Sequence, residues 1–155
     1  IPPARPLLQA LWDEPATYAD TWNARLMLVR PLLIAAMAFV WIFTAFTSAF
    51  FDLDSGYELL KNGGIEGVSA TLLIYLGAAA DLALGVGMLT PKYRLSAMRL
   101  QIALMMGYSI IISFIIPAQW LHPFGPVTKN LPMIAGTLLL LLTDRLGTLR
   151  FVKGV

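Results

Sequence analysis

The chain has 155 residues, 58% of them hydrophobic and 13% charged, with a mean hydropathy of +0.74. Such a composition is too apolar to present a water-soluble surface, so a bilayer must act as solvent, and one membrane domain is the simplest organisation. The net charge of +2 leaves no basic face for nucleic acid, and a chain without cysteine has no disulfide, thiolate metal site, iron–sulfur ligation or CxxC redox chemistry.

Residues 1 to 15 set Pro2, Pro3, Pro6 and Pro15 around a short apolar patch, Leu7 to Trp12, and read as an irregular lead-in or linker. The first residue is Ile1 and not Met, as expected of a chain processed or cut from something longer. From Ala16, the residues Tyr18, Trp22, Leu26 and Val29 fall on one helical face. Asp20 and Asn23 take the other, and Arg25 stands at the edge where its head can snorkel. This predicts a short interfacial helix, so that residues 1–25 form a lead-in and interfacial segment ahead of a transmembrane domain at 26–155.

Residues 31–51 carry no charge, and at the helical rise they cover about 31 Å, the thickness of a hydrocarbon core. This is the first predicted span. Residues 52–67 form a polar connection in which Ser55 can cap a short helix that Gly63 and Gly64 end. The second span is expected at 68–89, stopped by Pro91, and the third at 97–116, closed by Pro117, with a tight basic turn of Lys92, Tyr93 and Arg94 between them. A proline-rich loop follows. Trp120 and Phe124 suit the headgroup layer, and Asn130 with Pro132 signals an N-cap and early-turn proline before a fourth span at 131–146. The fold class expected is all-α, an integral membrane four-helix bundle.

Basic residues beside spans are retained on the cytoplasmic side. With four spans, nine of the eleven Lys and Arg residues fall on the side of the termini and the 92–94 turn, leaving Lys61 and Lys129 opposite. Both termini are therefore expected in the cytoplasm, and residues 52–67 and 117–130 outside.

Asp81 is the sharpest chemical signal, because a lone carboxylate inside a span is costly unless protonated or paired. Gly77 and Gly85 lie at i−4 and i+4 from it, a stripe that lets another helix approach and that should face the bundle. Trp41 on the first span and Tyr108 on the third lie at similar depth. Their N–H and O–H groups can bond a carboxylate or the carbonyl of a lipophilic molecule such as a quinone. Thr44 and Gln101 complete the candidate cluster, with Ser48, Ser109 and Ser113 as further polar groups. The alternative reading makes Asp81 interhelical glue with no ligand, and both stay open. Hydroxyls inside a span most often bond their own backbone. In the outer loop, Trp120, His122 and Lys129 stand out, yet a lone histidine without nearby Cys, Asp or Glu has no metal-site spacing, and Lys129 suits lipid phosphate. The chain offers no Ser–His–Asp triad, P-loop or paired-carboxylate site, and catalysis by this chain alone would lack a nucleophile or metal.

Three segments carry a resemblance to a known family: TWNARLMLVRPLLIAAMAFVWIFTAF at 21–46, AAADLALGVGMLTP at 78–91 and GYSIIISFIIPAQWLHPFGPVTKNLPMIAG at 107–136. The chain resembles the DoxX-like family of small four-helix membrane proteins. The last segment is the most specific, since hydrophobicity alone does not require Trp120, Gly125, Pro126, Lys129, Asn130 and Pro132 in that order. The resemblance is nearest to the branch found as a C-terminal membrane domain behind a short-chain-dehydrogenase-like NAD(P)-binding domain. It implies a redox-associated membrane module in a bacterial cytoplasmic membrane, since DoxX and DoxD relatives accompany quinone-linked sulfur oxidation, terminal oxidases or oxidative-stress assemblies. The family brings no agreed catalytic residues, and no cofactor is expected on this chain alone, quinone or lipid being the ligand classes implied.

The leading expectation is a module that anchors or organises an oxidoreductase, with other subunits or an upstream NAD(P)-binding domain as partners. A purely structural accessory subunit of a respiratory or photosynthetic complex is the alternative. A small proton or ion transporter ranks last, because no discontinuous helices or internal duplication are visible.

Overall fold

A computed structural model describes residues 17–121, 125 and 127–152, with side chains through Asp144. Among these residues the regular elements are all helices. The first helix, α1, is Tyr18–Phe46 and runs into a π-helical turn at Thr47–Phe51. Then come α2, Leu53–Asn62; α3, Val68–Leu89; α4, Arg94–Ile115; a 3-10 turn at Pro117–Trp120; and α5, Asn130–Val152. The lead-in at 1–16 and the loop residues His122, Pro123, Phe124 and Pro126 lie outside the described residues.

The chain divides into two compact units, residues 1–32 and 33–155. In the first, Thr17 and Asp20 close the start of α1: the Thr17 N–H and hydroxyl both donate to Asp20 Oδ2, at 2.8 and 2.7 Å, and the Asp20 N–H returns to Thr17 Oγ1 at 3.3 Å. This reciprocal capping explains why the helix begins at Tyr18. The expected separate interfacial helix is not separate. Residues 18–46 are one helix with Pro31 inside it, and Pro31 deprives only the Met27 carbonyl of its helical partner. A single lost bond does not end a helix when apolar residues continue on both sides.

In the second unit the predicted spans fall on helices with small changes at their ends. The 31–51 segment extends α1 through the π turn, where the Asp52 N–H reaches the Thr47 carbonyl at 2.9 Å, an i to i+5 bond. Ser55 does not cap α2; the helix starts at Leu53 with Asp52 ahead of it and no side-chain cap bond. Its end is as expected. Gly64 takes φ +78°, and the Ile65 and Gly64 N–H groups bond the Leu60 and Lys61 carbonyls, both at 2.9 Å, the paired bonds of a Schellman ending.

Helices α3 and α4 are joined by a four-residue turn and pack together, as do α4 and α5. Arg94 holds the turn by donating from Nε to the Met88 carbonyl at 2.9 Å, satisfying an orphan acceptor at the end of α3. Two buried layers knit the unit: Ala38, Met88, Met98 and Leu140 form one, and Trp41, Leu84, Ala97 and Met105 the other. Among the described glycines, Gly85 comes up against the backbone of a neighbouring helix. A Cβ there would stand 2.6 Å from Ile42 Cγ1 and 3.1 and 3.2 Å from the Ile42 nitrogen and Ala38 oxygen. Small residues let helices touch in this way where apolar solvent gives no other drive to associate.

Three helical stretches, Tyr18–Phe51, Val68–Leu89 and Arg94–Ile115, are long and apolar enough to cross a membrane, and even the best covered has only 28% of its apolar window buried. Their large exposed side chains, Phe39, Phe43, Leu76, Leu100 and Phe114 among them, need lipid as their neighbour. The fourth expected span lies in α5, where the apolar stretch among the described residues is Asn130–Asp144, shorter than a full bilayer core. The architecture is that of a multi-pass helical membrane bundle.

Candidate functional site

The five residues of the expected cluster separate into two pairs and an outlier. Asp81 is half-buried on α3. A Cβ on Gly77, one turn earlier, would stand 3.7 Å from the Tyr108 hydroxyl, so this glycine makes room for a phenol and not for a helix backbone. Of the two expected packing glycines, only Gly85 meets a neighbouring backbone. The Tyr108 hydroxyl thus lies against α3 one turn before Asp81. Among the described residues no hydrogen bond or ion pair holds the Asp81 carboxylate, and Tyr108 itself is 44% exposed. The pair therefore lies at the margin of the bundle, reachable from the bilayer.

Trp41 and Gln101 form the second pair and are closed off. Trp41 is 7% exposed and Gln101 fully buried. Gln101 donates from Nε2 to the Leu84 carbonyl at 3.3 Å and approaches Met88 Sδ at 3.7 Å, linking α4 to α3. Thr44 joins neither pair; it is exposed, and its carbonyl accepts the Thr47 hydroxyl at 3.0 Å.

A third polar group joins α4, the 3-10 turn and the start of α5. Ser109 and Ser113 each donate to a backbone carbonyl one turn back, Met105 at 2.7 Å and Ser109 at 2.6 Å, as expected of hydroxyls in a span. Each also accepts a bond from another element. Asn130 Nδ2 donates to Ser109 Oγ at 3.0 Å and Trp120 Nε1 to Ser113 Oγ at 2.8 Å. The side chain of Asn130 is thus turned toward α4, and Asn130 is the first helical residue of α5, not its cap. The spacing of Ser109 and Ser113 was the available signal, since residues four apart share one face of a helix. Lys129 is exposed, and His122 lies outside the described residues.

The end of α1, the π turn after it and the middle of α3 also frame an apolar groove of about 130 Å³, lined by Ala45, Phe46, Ala49, Phe50, Tyr75, Ala78, Ala79 and Leu82. It is smaller than the several hundred Å³ of a typical enclosed ligand pocket. Among the described residues, no three of His, Cys, Asp and Glu gather at metal-binding distance.

The model of the DoxX-like family matches residues 38–138, from the last third of α1 to the first half of α5. This chain belongs to the DoxX-like family. The match takes in all three polar groups, with Trp41, Asp81, Gln101, Tyr108 and the Ser109–Trp120–Asn130 link inside it. Comparison with curated proteins and with solved structures gave no match. Family membership and the three long apolar helices agree on a DoxX-like multi-pass membrane protein.

Proposed function

We propose that this DoxX-like chain is the membrane module of a redox assembly, anchoring or organising an oxidoreductase and meeting a lipophilic, quinone-type molecule at Asp81 and Tyr108. The observation that carries the reading is the half-buried carboxylate at mid-span, with a tyrosine hydroxyl against α3 one turn before it and no ion pair among the described residues. A carboxylic acid is expensive in hydrocarbon, and one without a charge partner is a functional group by default. Beside a phenol it offers both a donor and an acceptor to a carbonyl or hydroxyl head.

The lipophilic body of such a ligand would lie among acyl chains, because the groove between α1 and α3 is too small to enclose it. The partner in this reading is a second subunit or an NAD(P)-binding domain upstream, and the setting is a bacterial cytoplasmic membrane with both termini inside. In the native assembly, Asp81→Asn and Asp81→Leu are expected to lower quinone-coupled turnover about tenfold or more, the scale of one lost charged hydrogen bond at a site. Unchanged turnover in both variants rejects the pocket.

A second reading draws on the closure of Trp41 and Gln101 and the small size of the groove. It makes the chain a structural accessory subunit of a larger respiratory or photosynthetic complex. Native purification separates the two: a redox or nucleotide-binding partner favours the first, and a fixed place in a multi-subunit particle with turnover indifferent to Asp81 favours the second.

A further inference from the structure

Trp41 and Gln101 present a bonding problem that the protein does not solve by itself. Among the described residues, the Trp41 indole N–H and the Gln101 side-chain oxygen have no hydrogen-bond partner, and both atoms are shielded from the outside. One is a donor and the other an acceptor. The sense of the amide is fixed by its surroundings, because exchanging its ends would set two carbonyl oxygens against each other at Leu84.

Their positions bring them to one neighbourhood. Ala97, Gln101 and Met105 follow one another at four-residue steps on a single face of α4. The two outer members of that row belong to the same buried layer as Trp41 and Leu84, and Gln101, between them, bonds the Leu84 carbonyl. The orphan donor and the orphan acceptor thus share the layer where α1, α3 and α4 meet.

We infer that this layer is a binding site for a single water molecule, which accepts from the Trp41 indole N–H and donates to the Gln101 side-chain carbonyl. The ligand must accept at one end and donate at the other, which water does and an ion does not. It must also be small, since neither atom is open to a molecule of lipid or quinone size. Buried water of this kind satisfies two to four polar groups and is held as part of the fold. The site is independent of Asp81 and assigns Trp41 and Gln101 to hydration within the bundle, apart from any ligand arriving through the bilayer.

The test uses the chain in lipid bilayers with nitrogen-15 in its tryptophan indoles and carbon-13 in its glutamine side-chain carbonyls. Solid-state NMR reads magnetisation passed from water to each group, and the Trp41 signal is identified by its loss in Trp41→Phe. Transfer from a slowly exchanging water to both the Trp41 indole and the Gln101 carbonyl is expected. In Gln101→Met, transfer to the Trp41 indole should fall at least severalfold. Absence of water contact at both groups in the unaltered chain overturns the inference. So does a direct Trp41–Gln101 coupling without water, or transfer to Trp41 that is unchanged in Gln101→Met. Should Gln101→Met not fold, the two readings in the unaltered chain decide the matter.

Discussion

At the level of single residues, glycine shows how differently one side chain can be used in one bundle. At Gly85 an added Cβ would press on the Ile42 side chain and on backbone atoms of α1, 2.6 to 3.2 Å away, and backbone cannot step aside. At Gly136 the close atom is Met37 Cε at 2.5 Å, with Leu33 Cδ1 next at 3.9 Å. That is the free end of a flexible side chain. Gly85→Ala should therefore destabilise the protein by about 1–3 kcal/mol, the usual cost of overpacking. Gly136→Ala should be neutral, or stabilising by up to about 1 kcal/mol from helix propensity. Unfolding by denaturing detergent in mixed micelles measures both, and equal losses would show that Gly85 is not a backbone contact point. The sequence marked Gly77 and Gly85 alike, because spacing puts both on the stripe of Asp81. It could not tell which would meet a backbone and which a tyrosine, since that depends on where α1 and α4 cross α3.

Between elements, long apolar runs were legible and the polar links between them were not. The limits of α3 and the Gly63–Gly64 stop followed from hydropathy and turn chemistry, because length and a positive φ are local requirements. The merging of the interfacial segment into α1 was missed, since Pro31 reads as a boundary when judged alone, and the π turn at Thr47–Phe51 had no signature in residue type. The serines of α4 were discounted because a hydroxyl in a span bonds its own backbone. That holds for the proton of Ser113 but leaves its lone pairs free to accept Trp120 Nε1 at 2.8 Å. A double-mutant cycle with Ser113→Ala and Trp120→Phe, the latter keeping the ring and removing the N–H, should give a coupling of about 0.6 kcal/mol and at most about 1.7, as for hydrogen bonds between membrane helices. Additive effects would mean that the bond does not tie the 3-10 turn to α4.

Across the whole molecule, charge and hydropathy together make a prediction about direction. The exposed flanks of the long helices are phenylalanine, leucine and isoleucine, so the membrane is fixed as their solvent while its two sides are not. The distinction between sides rests on the basic residues, of which Lys92, Arg94 and Arg99 gather at the α3–α4 turn and Lys61 stands alone in the 52–67 connection. Retention of positive charge on the cytoplasmic side puts that turn inside and Lys61 outside. Both lysines are exposed, and a chain with no cysteine gives no background to thiol labelling. In intact cells a membrane-impermeant maleimide should react with Lys61→Cys and not with Lys92→Cys, and opening the cells should make the second reactive. Labelling of Lys92→Cys alone in intact cells would invert the orientation. It would also move the polar links Trp120–Ser113 and Asn130–Ser109 to the cytoplasmic face.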